Sequence, residues 1–253
     1  QPSATATFIP TGTSPAAANA MVLLLTVLSL APGILMTVTS FTRIVVALSL
    51  MRTGIGAPGV PPNPVIISLA LFLSFFVMAP TFDTAWQNGV QPFSAGKIDE
   101  KIAFERISDP FRTFMLAHVR NEDLQLFTDL AESRPPTPTA GLHAEAPGQP
   151  RTPAAAKAPG QSAAAAAKAQ VPLSTLMPAF MISELRRAFE IGFMLLLPFL
   201  VIDLAVSAIL MAMGMMMVPP TTIGLPMKLI FFVLVDGWSL VAGSLVRSFG
   251  VGS

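Results

Sequence analysis

Two aspartates within apolar segments are the first candidates for chemistry. Asp203 lies in Ile202-Asp203-Leu204, and Asp236 lies in Val235-Asp236-Gly237. Paired carboxylates can share a proton, as in aspartyl proteases, and carboxylates at membrane depth can serve as proton relays. Neither context has the tyrosine or Gly-x-Gly setting of intramembrane aspartyl proteases. We therefore favour polar contacts between packed helices, followed by a proton or ion relay in a transporter, and then by proteolysis.

Motifs for other catalytic chemistry are missing from the sequence. The histidines, His118 and His143, lie outside the apolar segments. The sequence has no cysteine, no HExxH motif, no glycine-rich phosphate loop and no nucleophile elbow, which are the patterns that thiolate, metal, phosphate and acyl chemistry use. We predict a protein that is not an enzyme and that holds no metal or cofactor.

A methionine cluster closes the third apolar segment. Five of the seven residues from Met211 to Met217 are methionine, and Pro219-Pro220 follows. Thioether side chains repack readily, and the proline pair ends the helix. If several copies surround one axis, Met215, Met216 and Met217 would form a pore gasket that blocks ions by dewetting and still deforms around a passing chain. The alternative is that these methionines fill gaps in a static interface.

A charged stretch leads into that segment. Glu184, Arg187 and Glu190 follow at three-residue spacing, which places neighbouring members of the series on one helix face. Such a face is either solvated or in contact with another subunit. Lys228 begins the last apolar segment without an acid nearby in sequence. We hypothesise that Glu184 and Lys228 pair at a subunit interface.

Composition indicates a membrane protein. Hydrophobic residues make up 53% of the chain and charged residues 11%, whereas soluble domains have about 25% charged residues. The mean hydropathy is +0.66. A net charge of +1 gives no electrostatic footprint for nucleic acid.

The apolar residues form four segments, at about 20–51, 65–82, 191–218 and 229–246. Only residues 65–82 form an uncharged run of bilayer length, and even this run contains Pro80. Arg43, Asp203 and Asp236 interrupt the other three, and charge at membrane depth is costly unless protein or water faces it. We predict that all three make polar contacts between packed helices, which neighbouring subunits cover.

The basic residues predict an orientation. Arg52 follows the first segment and Lys228 lies between the third and fourth, with no acid in either turn. The positive-inside rule places both turns in the cytoplasm and residues 83–190 outside it, with both termini. The start at Gln1 fits a removed signal peptide or a fragment boundary.

The outside segment divides into two parts. Residues 97–133 are typical of short amphipathic helices, with Asp109-Pro110 and Asn121 as candidate helix starts. Asn63, followed by Pro64, is a similar candidate for the second apolar segment. Residues 134–170 are almost entirely Pro, Ala, Gly, Gln, Thr and Ser, a composition that predicts a disordered linker.

Several runs of the sequence resemble the FliP family of type III export gates, which includes the injectisome SctR proteins. They are Ser40 to Val46, Pro61 to Ile66, Leu69 to Phe76, Pro178 to Leu185, Pro198 to Leu204, Met211 to Pro220, and Phe232 to Trp238. The similarity covers about residues 30–133 and 171–249. The methionine run favours the flagellar branch over its injectisome counterparts, and residues 134–170 are the departure from the family pattern.

The resemblance implies an all-α, membrane-associated fold of bent helical hairpins, with a small helical domain on the periplasmic side. Family members assemble with further copies of themselves and with FliQ and FliR into a gate at the bacterial inner membrane, in the flagellar basal body. Unfolded flagellar proteins pass through its centre, and FlhA and FlhB complete the apparatus. Membrane lipid is a further partner, and the gate is a conduit rather than an enzyme. The resemblance also places Glu184 and Lys228 near subunit contacts.

Five parts follow along the chain. We expect a flexible N-terminal segment (1–19), a first hydrophobic helical hairpin (20–82), a periplasm-side helical domain (83–133), a linker (134–170), and a charged helix with a second hydrophobic hairpin (171–253).

Overall fold

The structure, a computed structural model, describes residues 36–133 and 171–250 except Pro58 and Met216, together with Ser29 and Gly33. Every regular element in these ranges is helical, which confirms the predicted all-α fold class. The helices are α1 (Phe41–Ile55), α2 (Asn63–Ala85), α3 (Gln91–Ser94), α4 (Glu100–His118), α5 (Asn121–Glu132), α6 (Leu173–Ala212), α7 (Pro220–Leu234) and α8 (Gly237–Arg247), and a π-helical turn (Trp86–Val90) joins α2 to α3.

Helix α1 lies at the centre of the larger apolar core. Ile44, Ala47, Leu48 and Met51 are fully buried, and their spacing of three or four residues puts them on one stripe. This stripe packs mainly against α6, with α2 beside it. Arg43 lies next to the stripe and is buried as completely as its apolar neighbours.

Helix α6 joins the predicted charged stretch to the third apolar segment without a break. It has 40 residues and continues through Pro178 and Pro198. At about 1.5 Å of rise per residue it is roughly 60 Å long, about twice the hydrocarbon thickness of a bilayer. Half of it or more must therefore lie outside the hydrocarbon layer or within protein.

Two helical stretches, Asn63–Ser94 and Leu173–Ala212, are long and apolar enough to cross a membrane. Helices α7 and α8 meet at a bend of 65° and would form a third span if they are counted together. The first stretch contains the predicted clean segment 65–82. The bend falls at Asp236, the charge that divides the last apolar segment, whereas the helices that contain Arg43 and Asp203 run through them without a break.

The second apolar core joins α4, α5 and the first turns of α6. Its fully buried members include Met115, Leu176, Ala179 and Phe180, with Leu124 of α5 packed against them. An edge contact between the rings of Phe82 and Phe111, with centroids 5.6 Å apart, connects α2 to this region.

The predicted helix start at Asp109-Pro110 is wrong. Helix α4 runs through both residues to His118. An interior proline costs about 3 kcal/mol, but α4 packs against α2, α6 and the π-helical turn, and this packing holds the helix together.

The other two starts lie one residue from the predicted position. Helices α2 and α5 begin at Asn63 and Asn121, so that Pro62 and Arg120 occupy the cap positions. No side-chain cap bond forms at either start.

Candidate functional site

A buried ion pair joins α1 to α6. Arg43 donates from Nε to Glu184 Oε2 at 2.8 Å, and from Nη2 to Glu184 Oε1. Both side chains are fully buried. The two parallel bonds are the geometry in which a guanidinium and a carboxylate interact most strongly, so each charge compensates the burial of the other.

The same arginine binds the chain just after α8. Arg43 Nη1 donates to the carbonyl oxygen of Ser248 at 3.0 Å and to its Oγ at 3.1 Å. The guanidinium carbon lies 3.7 Å from the centroid of the Phe249 ring, a cation–π contact. Arg43 therefore ties α1, α6 and the C-terminal turn at 248–250 to one point.

His118 closes this cluster from the side of α4. Its ring centroid is 4.3 Å from that of Phe114 and 5.4 Å from that of Phe249, and its Nδ1 is 2.8 Å from the Phe114 carbonyl oxygen. Burial lowers the pKa of His118 below its ordinary 6.5, and the positive charges of Arg43 and Arg187 act in the same direction. The ring is therefore neutral at pH 7.

A second polar contact anchors α5 to α6 beside the ion pair. Ser183 Oγ donates to the buried Asp123 at 2.6 Å and accepts from the backbone N–H of Arg120 at 3.1 Å. Since Ser183 precedes Glu184, consecutive residues of α6 hold α5 and α1.

A third polar contact joins α6 to α7. Lys228 Nζ lies 2.6 Å from Asp203 Oδ2 and 3.1 Å from the Gly54 carbonyl oxygen at the end of α1. The lysine side chain is 8% exposed and the aspartate side chain 47% exposed. The pair thus lies at the edge of the packed helices, where solvent screens it in part.

Asp236 lies alone at the bend between α7 and α8. Its backbone has φ 50° and ψ 52°, the left-handed conformation, which aspartate tolerates better than most residues. The side chain is exposed. A Cβ on the next residue, Gly237, would lie 2.2 Å from the Phe232 ring, so the bend requires glycine there.

The methionine cluster forms the turn between α6 and α7. Helix α6 ends at Ala212, and Gly214 with φ 73° turns the chain away from it. Met215 and Met217 are 40% and 97% exposed. Met216 lies outside the described residues. The gasket role of the three stays a prediction.

Within one chain, Glu184 and Lys228 do not pair with each other as predicted. Glu184 binds Arg43, and Lys228 binds Asp203. The reason for the prediction, a lysine without an acid, therefore does not hold, because α6 brings Asp203 to it. A subunit-interface role for Glu184 and Lys228 stays a prediction.

The three interrupting charges, Arg43, Asp203 and Asp236, do not form one site. Arg43 and Asp203 contact charged partners on neighbouring helices. No group of three or more potential metal ligands occurs in the described residues. Their packing role stays a prediction.

Sequence reasoning missed Ser183, Asp123, Ser248 and Phe249. Asp123 and Ser183 are 60 residues apart, and Arg43 and Ser248 are 205 apart. Of this cluster, Arg43 gave a signal as a charge within an apolar segment, because a buried charge needs a partner, and Glu184 gave one as a member of the charged stretch.

These apolar helices, joined by one buried and one partly exposed ion pair, define an all-α membrane protein. The chain belongs to the FliP family, whose model matches residues 24–245. It is 52% identical over 226 residues to the flagellar biosynthetic protein FliP of Rhizobium meliloti (strain 1021), an alignment that covers 89% of this chain and 81% of the relative.

Two further relatives carry the same name. Identity to the flagellar biosynthetic protein FliP of Caulobacter vibrioides is 53% over 230 residues, 91% of this chain and 76% of the relative. Identity to that of Bacillus subtilis (strain 168) is 44% over 229 residues, 90% of each chain. The chain is therefore a membrane-located component of the flagellar type III export apparatus.

Proposed function

We propose that this chain is a core subunit of the flagellar export gate, which forms the conduit for unfolded flagellar proteins with further copies of itself and with FliQ and FliR. The observation that supports this most directly is the uncovered surface of α6. Only 11% of its most apolar window is buried within the chain. Its exposed side chains include Phe193, Met194, Val201 and Leu204. The first turns of α6 pack in the chain's own second apolar core, so this exposed apolar surface lies in the later part of the helix. Lipid or neighbouring subunits must cover it, and we assign part of it to neighbouring subunits.

The placement of the two turns supports the proposed orientation. A Cβ on Gly56, in the turn between α1 and α2, would lie 3.5 Å from Lys228 Nζ. Arg52 and Lys228 therefore belong to the same end of the helical bundle, as the positive-inside rule requires for two cytoplasmic turns. FlhA and FlhB would meet the gate at this side, and residues 83–190 lie on the periplasmic side.

The assembly test is native mass spectrometry of the detergent-extracted chain, alone and co-expressed with FliQ and FliR. We expect a homo-oligomer that takes up both partners. A chain that stays monomeric under both conditions contradicts the gate. Complementation of a strain that lacks its own gate subunit, read out as secreted flagellar proteins, then tests export.

The exposed methionines support a gasket. If the turns after α6 surround one axis, Met215 and Met217 project from them, with Met216 between. Changing all three to alanine should leave the oligomer intact and make it leaky to ions, measured as conductance in planar bilayers. The matched control replaces Met211 and Met213, at the C-terminal end of α6, with alanine. An assembled triple variant as tight as the parent would leave the methionines as packing residues only.

A secondary transporter that uses Asp203 and Asp236 is the second candidate. Asp203 binds Lys228 and is not brought together with Asp236. Both facts argue against a binding site that the two aspartates share. Saturable binding of a small solute, lost on Asp203→Asn, would favour the transporter. An injectisome homologue is the nearer alternative, and complementation of the flagellar strain separates it from the flagellar subunit.

A further inference from the structure

We propose that the turn between α1 and α2 binds the headgroup of an acidic phospholipid, with Arg52 as its cationic ligand. An open cavity of about 680 Å³ lies over this turn. The lining residues are Arg52, Thr53, Gly56, Ala57, Gly59, Pro62, Asn63 and Pro64. Of these, Arg52 alone carries charge.

The guanidinium of Arg52 has donors to spare. Its Nη1 binds the Pro61 carbonyl oxygen at 3.4 Å and the Asn63 Oδ1. In the described part of the chain no carboxylate forms an ion pair with Arg52, whereas Arg43 and Lys228 both have one. Arginine presents five N–H donors in a planar fork that matches the oxygens of a phosphate.

The start of α2 adds to this positive field. Val65 and Ile66 donate their N–H groups to the Pro62 carbonyl oxygen and so do not bind the phosphate directly, but the aligned peptide dipoles make the N-terminal end of the helix favourable for anions. Lys228 lies beneath the same turn, but Asp203 neutralises it. Arg52 therefore supplies the net charge of the cavity.

The apolar surface beside the cavity points to a lipid rather than to a free anion. Val65 and Ile67 are exposed in the first turns of α2. Phe72, Phe75 and Phe76 continue this exposed surface along the stretch that is long enough to cross a membrane. A phosphate held at Arg52 would thus lie at the interface depth, with its acyl chains along α2. Basic residues at this depth attract anionic lipids.

The test is native mass spectrometry of the full detergent-extracted chain, titrated with phosphatidylglycerol or with phosphatidylcholine of the same acyl chains. We expect the parent to prefer phosphatidylglycerol and Arg52→Gln to lower that affinity about fivefold, the effect of one basic residue near an anionic surface. Affinity for phosphatidylcholine should not change. Arg52→Lys should retain part of the preference.

Two controls separate headgroup binding from support of the turn. The melting temperature of Arg52→Gln should match that of the parent, whereas a purely structural role predicts a lower melting temperature together with the lost preference. Arg106→Gln, in α4, should have no effect on the preference. The proposal fails if the parent shows no preference, if Arg52→Gln retains it, if Arg52→Gln loses it only together with its stability, or if excess inorganic phosphate displaces the lipid completely.

Discussion

At the scale of single residues, Arg43 joins three parts of the chain through its hydrogen bonds to Glu184 and Ser248. It is fully buried and has its partners on α6 and in the C-terminal turn. Removing one partner of a buried ion pair leaves an uncompensated charge, which costs about 3–5 kcal/mol. An apolar pair of similar volume avoids that cost.

Glu184→Gln should therefore lower the melting temperature of the detergent-extracted chain strongly, and Arg43→Met with Glu184→Leu should recover most of the loss. The double variant Arg43→Glu with Glu184→Arg should recover more of the melting temperature than the double variant Glu184→Lys with Lys228→Glu. If only the swap with Lys228 restores the oligomer, the contact between subunits dominates over the one within the chain.

His118 makes this cluster sensitive to acid. Because its pKa is lowered on folding, the unfolded chain binds more protons than the folded one at pH values between the folded pKa and about 6.5. The stabilisation is complete above about pH 6.5 and is lost as the pH falls towards the folded pKa. We expect the melting temperature to fall between pH 7.5 and 5.5, and His118→Phe to flatten this dependence. Equal slopes for the two proteins would assign the titration to another group.

At the scale of the elements, the bend between α7 and α8 rests on backbone conformation. Asp236 is left-handed, a conformation that costs most residues about 1–2 kcal/mol, and Gly237 lies against the ring of Phe232. The sequence predicts a polar contact between packed helices for Asp236, which stays a prediction. The structure adds a conformational reason for an aspartate at this position.

Asp236→Asn and Asp236→Gly should thus be mild, whereas Asp236→Leu and Gly237→Ala should each lower stability by about 1–3 kcal/mol. Thermal melting of the extracted protein measures this. Gly243→Ala, within α8, is the control, because its new Cβ meets only the flexible end of Arg247. An Asp236→Leu variant as stable as Asp236→Asn would contradict the conformational account.

At the scale of the whole molecule, the chain joins two apolar cores through α6. The larger core lies around α1, and the smaller joins α4, α5 and the first turns of α6. Phe127 of α5 and Leu173 at the start of α6 both pack against the smaller core, so the two helices that flank residues 134–170 share one core. These residues lie outside the described part of the chain, and the linker stays a prediction.

Deleting residues 138–166 leaves eight residues of this segment, four on each side, which can reach about 26 Å when extended. Since loop length changes the closure entropy only slowly, assembly and motility should remain nearly unchanged. Soft-agar swarming and native mass spectrometry measure these. A variant that no longer assembles would show that the segment is structural.

The sequence by itself predicted the membrane class and the start of α2 to within one residue, and the family resemblance supplied the all-α fold. The first two depend on local signals: apolar run length and proline. The sequence did not predict which charged side chains pair with each other. Glu184 meets Arg43 across 141 residues and Lys228 meets Asp203 on the preceding helix, because helix packing, not spacing, decides which charges compensate each other. The same packing carried α4 through Pro110. Tertiary structure thus decided the ion pairs, the cation–π contact of Arg43 with Phe249 and the left-handed backbone at Asp236.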